Sequence, residues 1–255
     1  MDLTFTEYVF AVSGSFVAGA INTLAGNGSI IVLSILTDVI GLPGNVANGT
    51  NRVGILFQAI GSGSGFAKNK MMDFNKSRDI IMLTIIGAVI GVYTATIVSN
   101  EQFLFVFKYL MVAMLLVIMV KPERWLRATN IRKLSPWLSV PAFILLGFYG
   151  GFIQMGMGVF FLAITVLVGG YSIMDANAIK TLVIAIYTVI VLIIFHLKGL
   201  VNWEVGIMMA IGQTLGGYLT AAYASKWKDI NLWAYRLLVI IIIFAILIQF
   251  GIIKL

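Results

Sequence analysis

Along this chain apolar residues gather into long blocks, at about 6–24, 29–41, 47–66, 79–98, 102–120, 137–155, 159–170, 176–196, 205–223 and 232–253. A helix needs roughly 20 residues to cross a bilayer core, so eight of these blocks predict full crossings. The blocks at about 29–41 and 159–170 are too short for that and predict the return arms of hairpins. Each follows a glycine-rich break: Gly26-Asn27-Gly28 before the first, Gly156-Met157-Gly158 before the second. Glycine frees the backbone at such points. Non-helical chain at membrane depth is tolerated where protein or a water-filled cavity surrounds it. A further break at Gly41-Leu42-Pro43-Gly44 leads to a polar helix start carrying Asn48, Thr50, Asn51 and Arg52.

Composition narrows the class. With 60% hydrophobic and 11% charged residues over 255 positions, a soluble core could not hide the apolar side chains. The predicted fold is an all-α polytopic membrane protein. Runs such as Leu237 to Ile248 are continuous rather than alternating, which excludes a strand barrel. The absence of cysteine excludes disulfides and thiolate metal sites. No metal or cofactor is expected. The formal charge of +7 is explained by loops rather than by nucleic acid. Eleven of the 17 basic residues fall at 67–79, 121–135 and 224–231, and the facing loops are nearly bare of them. The positive-inside rule makes those three loops cytoplasmic and both termini external.

The two halves repeat. Gly87-x-x-x-Gly91-x-Tyr93 answers Gly212-x-x-x-Gly216-x-Tyr218, and Lys108 answers Arg236. Each half has five blocks, an odd number, so the second half enters from the opposite face: an inverted repeat, with its binding site expected near the midplane between the halves. The expected organisation is an N-terminal repeat at 1–120, a basic linker at 121–136 and a C-terminal repeat at 137–255. The stretch Gly19 to Ser29, with Gly41-Leu42-Pro43-x-x-Val46-Ala47-x-Gly49-Thr50, its weaker second copy through Thr181 and the Gly-x-x-x-Gly segments, resembles the sulfite exporter (TauE/SafE) family of membrane permeases. The turns depart from that family's more glycine-rich form at Asn27 and Met157. The resemblance implies export or exchange of small sulfur-containing anions such as sulfite and organosulfonates.

Helix starts beside the two turns can seat an anion. Candidate contacts are Asn22, Gly26, Asn27, Gly28 and Ser29 at the first turn and Gln154, Gly156 and Gly158 at the second, with Asn48, Thr50, Asn51, Arg52, Lys180 and Thr181 on the helices that follow. Against this, amides can simply cap or bridge broken helices at about 0.6 kcal/mol each. Arg52 and Lys180 stand at nearly matching places. A charge within a span costs roughly 2.5–3.5 kcal/mol, which makes a functional site the default reading; the alternative is snorkelling to an interface. Asp38, Asp175 and Glu204 fall near block ends, leaving no buried acid to neutralise a cation, so the cargo is read as an anion. The partners are that anion and the lipid bilayer. Two other classes stay open: an intramembrane hydrolase with a serine of Gly61-Ser62-Gly63-Ser64-Gly65 as nucleophile and His196, the one histidine, as base, and a non-transporting accessory subunit.

Overall fold

The structure is a computed structural model, described here for residues 5–71, 74–99, 101–102 and 135–224 and for scattered positions within 105–119 and 226–253. The blocks at 102–120 and 232–253, the linker at 121–136 and Lys108 lie wholly or largely outside the described residues.

All regular secondary structure among the described residues is helical. In the first half α1 spans Phe5–Ala25, α2 Ser29–Ser34, α3 Gly44–Lys68 and α4 Phe74–Ile97. In the second half α5 spans Pro136–Phe152, α6 Met157–Leu162, α7 Ile173–Leu197 and α8 Trp203–Ala224. Among the described residues four stretches are long and apolar enough to cross a membrane: Tyr8–Ala25, Ser77–Ile97, Ile173–Leu197 and Trp203–Ala224. Helix α3 matches them in length, with 25 residues, but its first turns carry the polar cluster. Both short arms continue as π-helix, α2 through Ile35–Val39 and α6 through Ala163–Val168. Thr37 and Thr165 sit in these segments and donate back to Leu33 and Phe161, a pattern that loosens the helical ladder. At 1.5 Å per residue each whole arm is only about 16–18 Å long, as the short blocks predict. Nothing in the hydrophobic pattern signals their π character.

Polarity is turned inside out. Large apolar side chains such as Ile60, Met82, Ile90, Leu145, Ile193 and Ile211 face outward, while Asn27, Arg52, Ser62, Asn177 and Thr188 are fully buried. Without water to drive helices together, association rests on close packing of small residues. In α4 and α5, Gly87 and Gly91 lie on the backbone of Ile144 and Phe148, and Gly147 and Gly151 lie on Thr84 and Ala88. In α1 and α8, Gly212 lies on Val12, Gly216 on Phe16 and Gly19 on Gln213. A methyl group at any of these would collide with main chain. The order of contacts makes α4 parallel to α5 and α1 parallel to α8. Helix α8 also runs parallel to α3, since Gly54 meets Gln213 and Gly65 meets Ala221. Helix α7 opposes α3: Gly49, near the start of α3, rests on Phe195 at the end of α7 and on Leu200 just beyond it.

Candidate functional site

The two turns meet. Gly26 has φ +77°, and a Cβ placed on it would lie 2.6 Å from the Gly158 main chain. Only glycine takes both that backbone and that contact easily. The second turn carries its left-handed residues at Gln154, with φ 61°, and Gly156, with φ 75°. Tyr149 Oη braces this turn by donating to the Met155 carbonyl.

Each half supplies a cation to the other half's turn. Arg52, on α3, donates through Nη1 to the Gly150 carbonyl at 2.7 Å and Gln154 Oε1 at 2.6 Å. Its Nη2 reaches the Gly151 carbonyl at 3.1 Å and Asn48 Oδ1 at 3.3 Å, and the guanidinium stands 5.5 Å from the centre of the Phe195 ring. Asn48 adds a bond to the Phe152 carbonyl at 3.0 Å. Lys180, on α7, repeats the scheme on the first half. Its Nζ donates to the carbonyls of Asn22 at 2.9 Å and Thr23 at 3.3 Å and to Asn177 Oδ1. Asn177 donates in turn to the Leu24 carbonyl at 2.9 Å. Apart from Asn22, whose carbonyl also accepts from the Gly26 N–H at 3.0 Å, the carbonyls held are those that the last turn of a helix leaves without an intrahelical partner, and a cation also opposes the negative end of the helix dipole. Both side chains are buried, Arg52 at 0% and Lys180 at 2% exposure, so neither snorkels.

The amides divide into two sets. Asn22 donates to Gln58 Oε1 at 2.6 Å, and Gln58 donates to Thr23 Oγ1 at 3.0 Å. Gln154 Oε1 accepts from both Arg52 and Tyr187. Asn22, Asn48 and Gln154 are thus held by protein partners. Asn27 and Asn51 are buried with both amide atoms unpartnered, and Arg52 Nε is unpartnered as well. Thr50 serves elsewhere: its Oγ1 accepts from the Asn202 backbone N–H at 2.9 Å, tying the start of α3 to the loop before α8. Ser29 opens α2, Thr181 follows Lys180 on α7, and both are buried. Gly28 packs against Ala18 and Asn22. A crevice of about 900 Å³ is lined in part by Thr94, Val98, Phe148, Tyr149 and Phe152.

The hydrolase constellation is not assembled. Ser62 and Ser64 donate to Gln58 and Ile60 carbonyls within an unbroken helix, and His196 Nδ1 accepts from Trp203 Nε1 at 3.1 Å. His196 lies at the Thr50 end of α3, about 18 Å of helix away from Ser62.

Gln58, Asn177, Tyr187 and Phe195 join the site without having stood out as candidates in the sequence. Asn177 carried a signal: like Asn48 before Arg52, it precedes its cation by about one helical turn. The described residues also contain no cluster of acidic and histidine side chains suited to a metal.

The chain matches the Sulfite exporter TauE/SafE family over residues 11–250. It belongs to that family. Among relatives, the probable membrane transporter protein ORF9 of Sinorhizobium sp is 29% identical over 227 residues, covering 88% of this chain and 85% of the relative. The probable membrane transporter protein YfcA of Escherichia coli K12 is 25% identical over 202 residues, with 79% and 75% covered. A probable membrane transporter protein of Haemophilus influenzae is 26% identical over 223 residues, with 87% and 86% covered. No solved structure matches the chain significantly. As a TauE/SafE protein with four apolar membrane-length helices among the described residues, the chain is an integral membrane protein of a transporter family.

Proposed function

We propose that this TauE/SafE protein exports a small sulfur-containing anion, sulfite or an organosulfonate, across the bacterial inner membrane. The cargo sits between the two turns, and alternating access exposes it to either side. One observation carries the choice of an anion: two cations are buried beside the turns, while no aspartate or glutamate is among the buried residues described. Uncompensated charge in a membrane interior is costly, and a bound anion offsets that cost. Asn27 and Asn51 are the proposed direct contacts, since a buried amide with free donor and acceptor loses free energy until something pairs with it.

The transport unit is two inverted repeats, at 1–120 and 137–255, joined by a basic cytoplasmic linker. Supporting this are the shared element order of the halves, the matched α1–α8 and α4–α5 pairings and the opposed directions of α3 and α7. The test is efflux from liposomes containing the purified chain alone, loaded in turn with sulfite, sulfate, methanesulfonate and acetate. Protein-dependent efflux of sulfite or methanesulfonate, and not of acetate, is expected. Absence of flux for every anion would favour an accessory role instead.

A further inference from the structure

We infer that Arg52 and Lys180 are positioning residues, each pinning the turn that belongs to the opposite half, so that the two halves hold one another's broken helices. The inference goes beyond the proposed transport and does not depend on which anion is carried. Its first support is that the donors are already used. Lys180 has three N–H groups and three acceptors, all from protein. The four N–H bonds of the Arg52 terminal nitrogens likewise go to Gly150, Gly151, Gln154 and Asn48, leaving Nε alone unpartnered.

The second support is the crossed pattern. Arg52 and Asn48 hold three successive carbonyls, Gly150, Gly151 and Phe152, at the end of α5. Lys180 and Asn177 hold three successive carbonyls, Asn22, Thr23 and Leu24, at the end of α1. None of the hydrogen bonds shown for either cation goes to its own half's turn. Where a helix breaks away from water, such carbonyls need an outside donor, and a charged donor is about twice as strong as a neutral one. The consequence is that the first turn can loosen only when the second half's α7 moves relative to α1, and the reverse holds for the second turn.

The chain contains no cysteine, so single cysteines report each turn cleanly. Ser29→Cys marks the first turn and Met155→Cys the second, both at buried positions. Labelling by a membrane-permeant maleimide is measured in purified full-length protein in proteoliposomes. Lys180→Gln is expected to speed labelling of Ser29→Cys at least tenfold and leave Met155→Cys within threefold of its parent; Arg52→Gln is expected to do the opposite. Arg52→Lys, which retains a charged donor, should keep Met155→Cys within threefold. The milder Asn177→Leu and Asn48→Leu, each removing one carbonyl bond and one acceptor of the cation, should give the same crossed pattern at about threefold and serve if a glutamine variant does not fold. Acceleration at both turns alike, at the same half's turn, or at neither overturns the inference, as does Arg52→Lys labelling as fast as Arg52→Gln. Because labelling needs no cargo, failure of anion transport leaves this result standing, and failure here leaves the transport reading untouched.

Discussion

At the scale of single residues, satisfaction of buried polar groups sorts the candidate amides. Asn22, Asn48 and Gln154 have protein partners, whereas Asn27 and Asn51 have none at either amide atom. Under the proposed transport the unpaired pair meets the cargo. Converting either amide to a carboxylate barely changes its size but sets a negative oxygen against an anion. Asn27→Asp and Asn51→Asp should therefore weaken sulfite binding at least tenfold, about 1.4 kcal/mol, with calorimetry on solubilised protein as the check. Asn45→Asp is the control, because Asn45 is exposed at the start of α3 and caps the next backbone N–H. If all three variants bind alike, the amides are structural. The residues that hold Arg52 and Lys180 could not be read from the sequence. Their acceptors lie about 100 and 160 positions away, and no local period encodes a contact of that range. What could be read was that two cations stood in apolar surroundings without acidic neighbours; the chain answers them with carbonyls rather than carboxylates.

At the scale of elements, the break points were legible because glycine clusters interrupt apolar blocks, and the short arms were legible from length. The π-helical ends were not, since a wider helical turn leaves the hydrophobic pattern almost unchanged. The sequence placed a site only near the midplane between the halves; the contact of Gly26 with Gly158 is main chain on main chain. Two substitutions separate what conformation and packing each contribute. Gly41 has φ +75° with open space around it, so Gly41→Ala bears only the left-handed penalty, about 1–2 kcal/mol. Gly26→Ala bears that penalty and a collision with Gly158, and overpacking adds about 1–3 kcal/mol more. Thermal unfolding of the solubilised protein should show Gly26→Ala losing clearly more than Gly41→Ala. Equal losses would mean that the turns part without cost and that their contact does not organise the centre.

At the scale of the whole molecule, orientation follows from joining the charge pattern to the helix directions. Within α3, Thr50 is tied to Asn202 in the 198–202 loop, and the helix ends at Lys68. Those two residues are 18 positions apart, about 27 Å along the helix axis, close to the roughly 30 Å of a bilayer core. The loop after Lys68 belongs to the basic set, and the 198–202 loop carries only Lys198. The positive-inside rule then predicts Lys70 in the cytoplasm and Lys198 outside. Both side chains are exposed, so the cysteine-free chain can report its orientation from these two positions. In intact cells an impermeant maleimide should label Lys198→Cys and not Lys70→Cys; after the membrane is permeabilised, both should react. The reverse pattern would place both termini inside and turn the proposed export path around. Labelling of both in intact cells would mean that α3 does not separate the two loops across the membrane, and the inverted arrangement of the halves would fall with it.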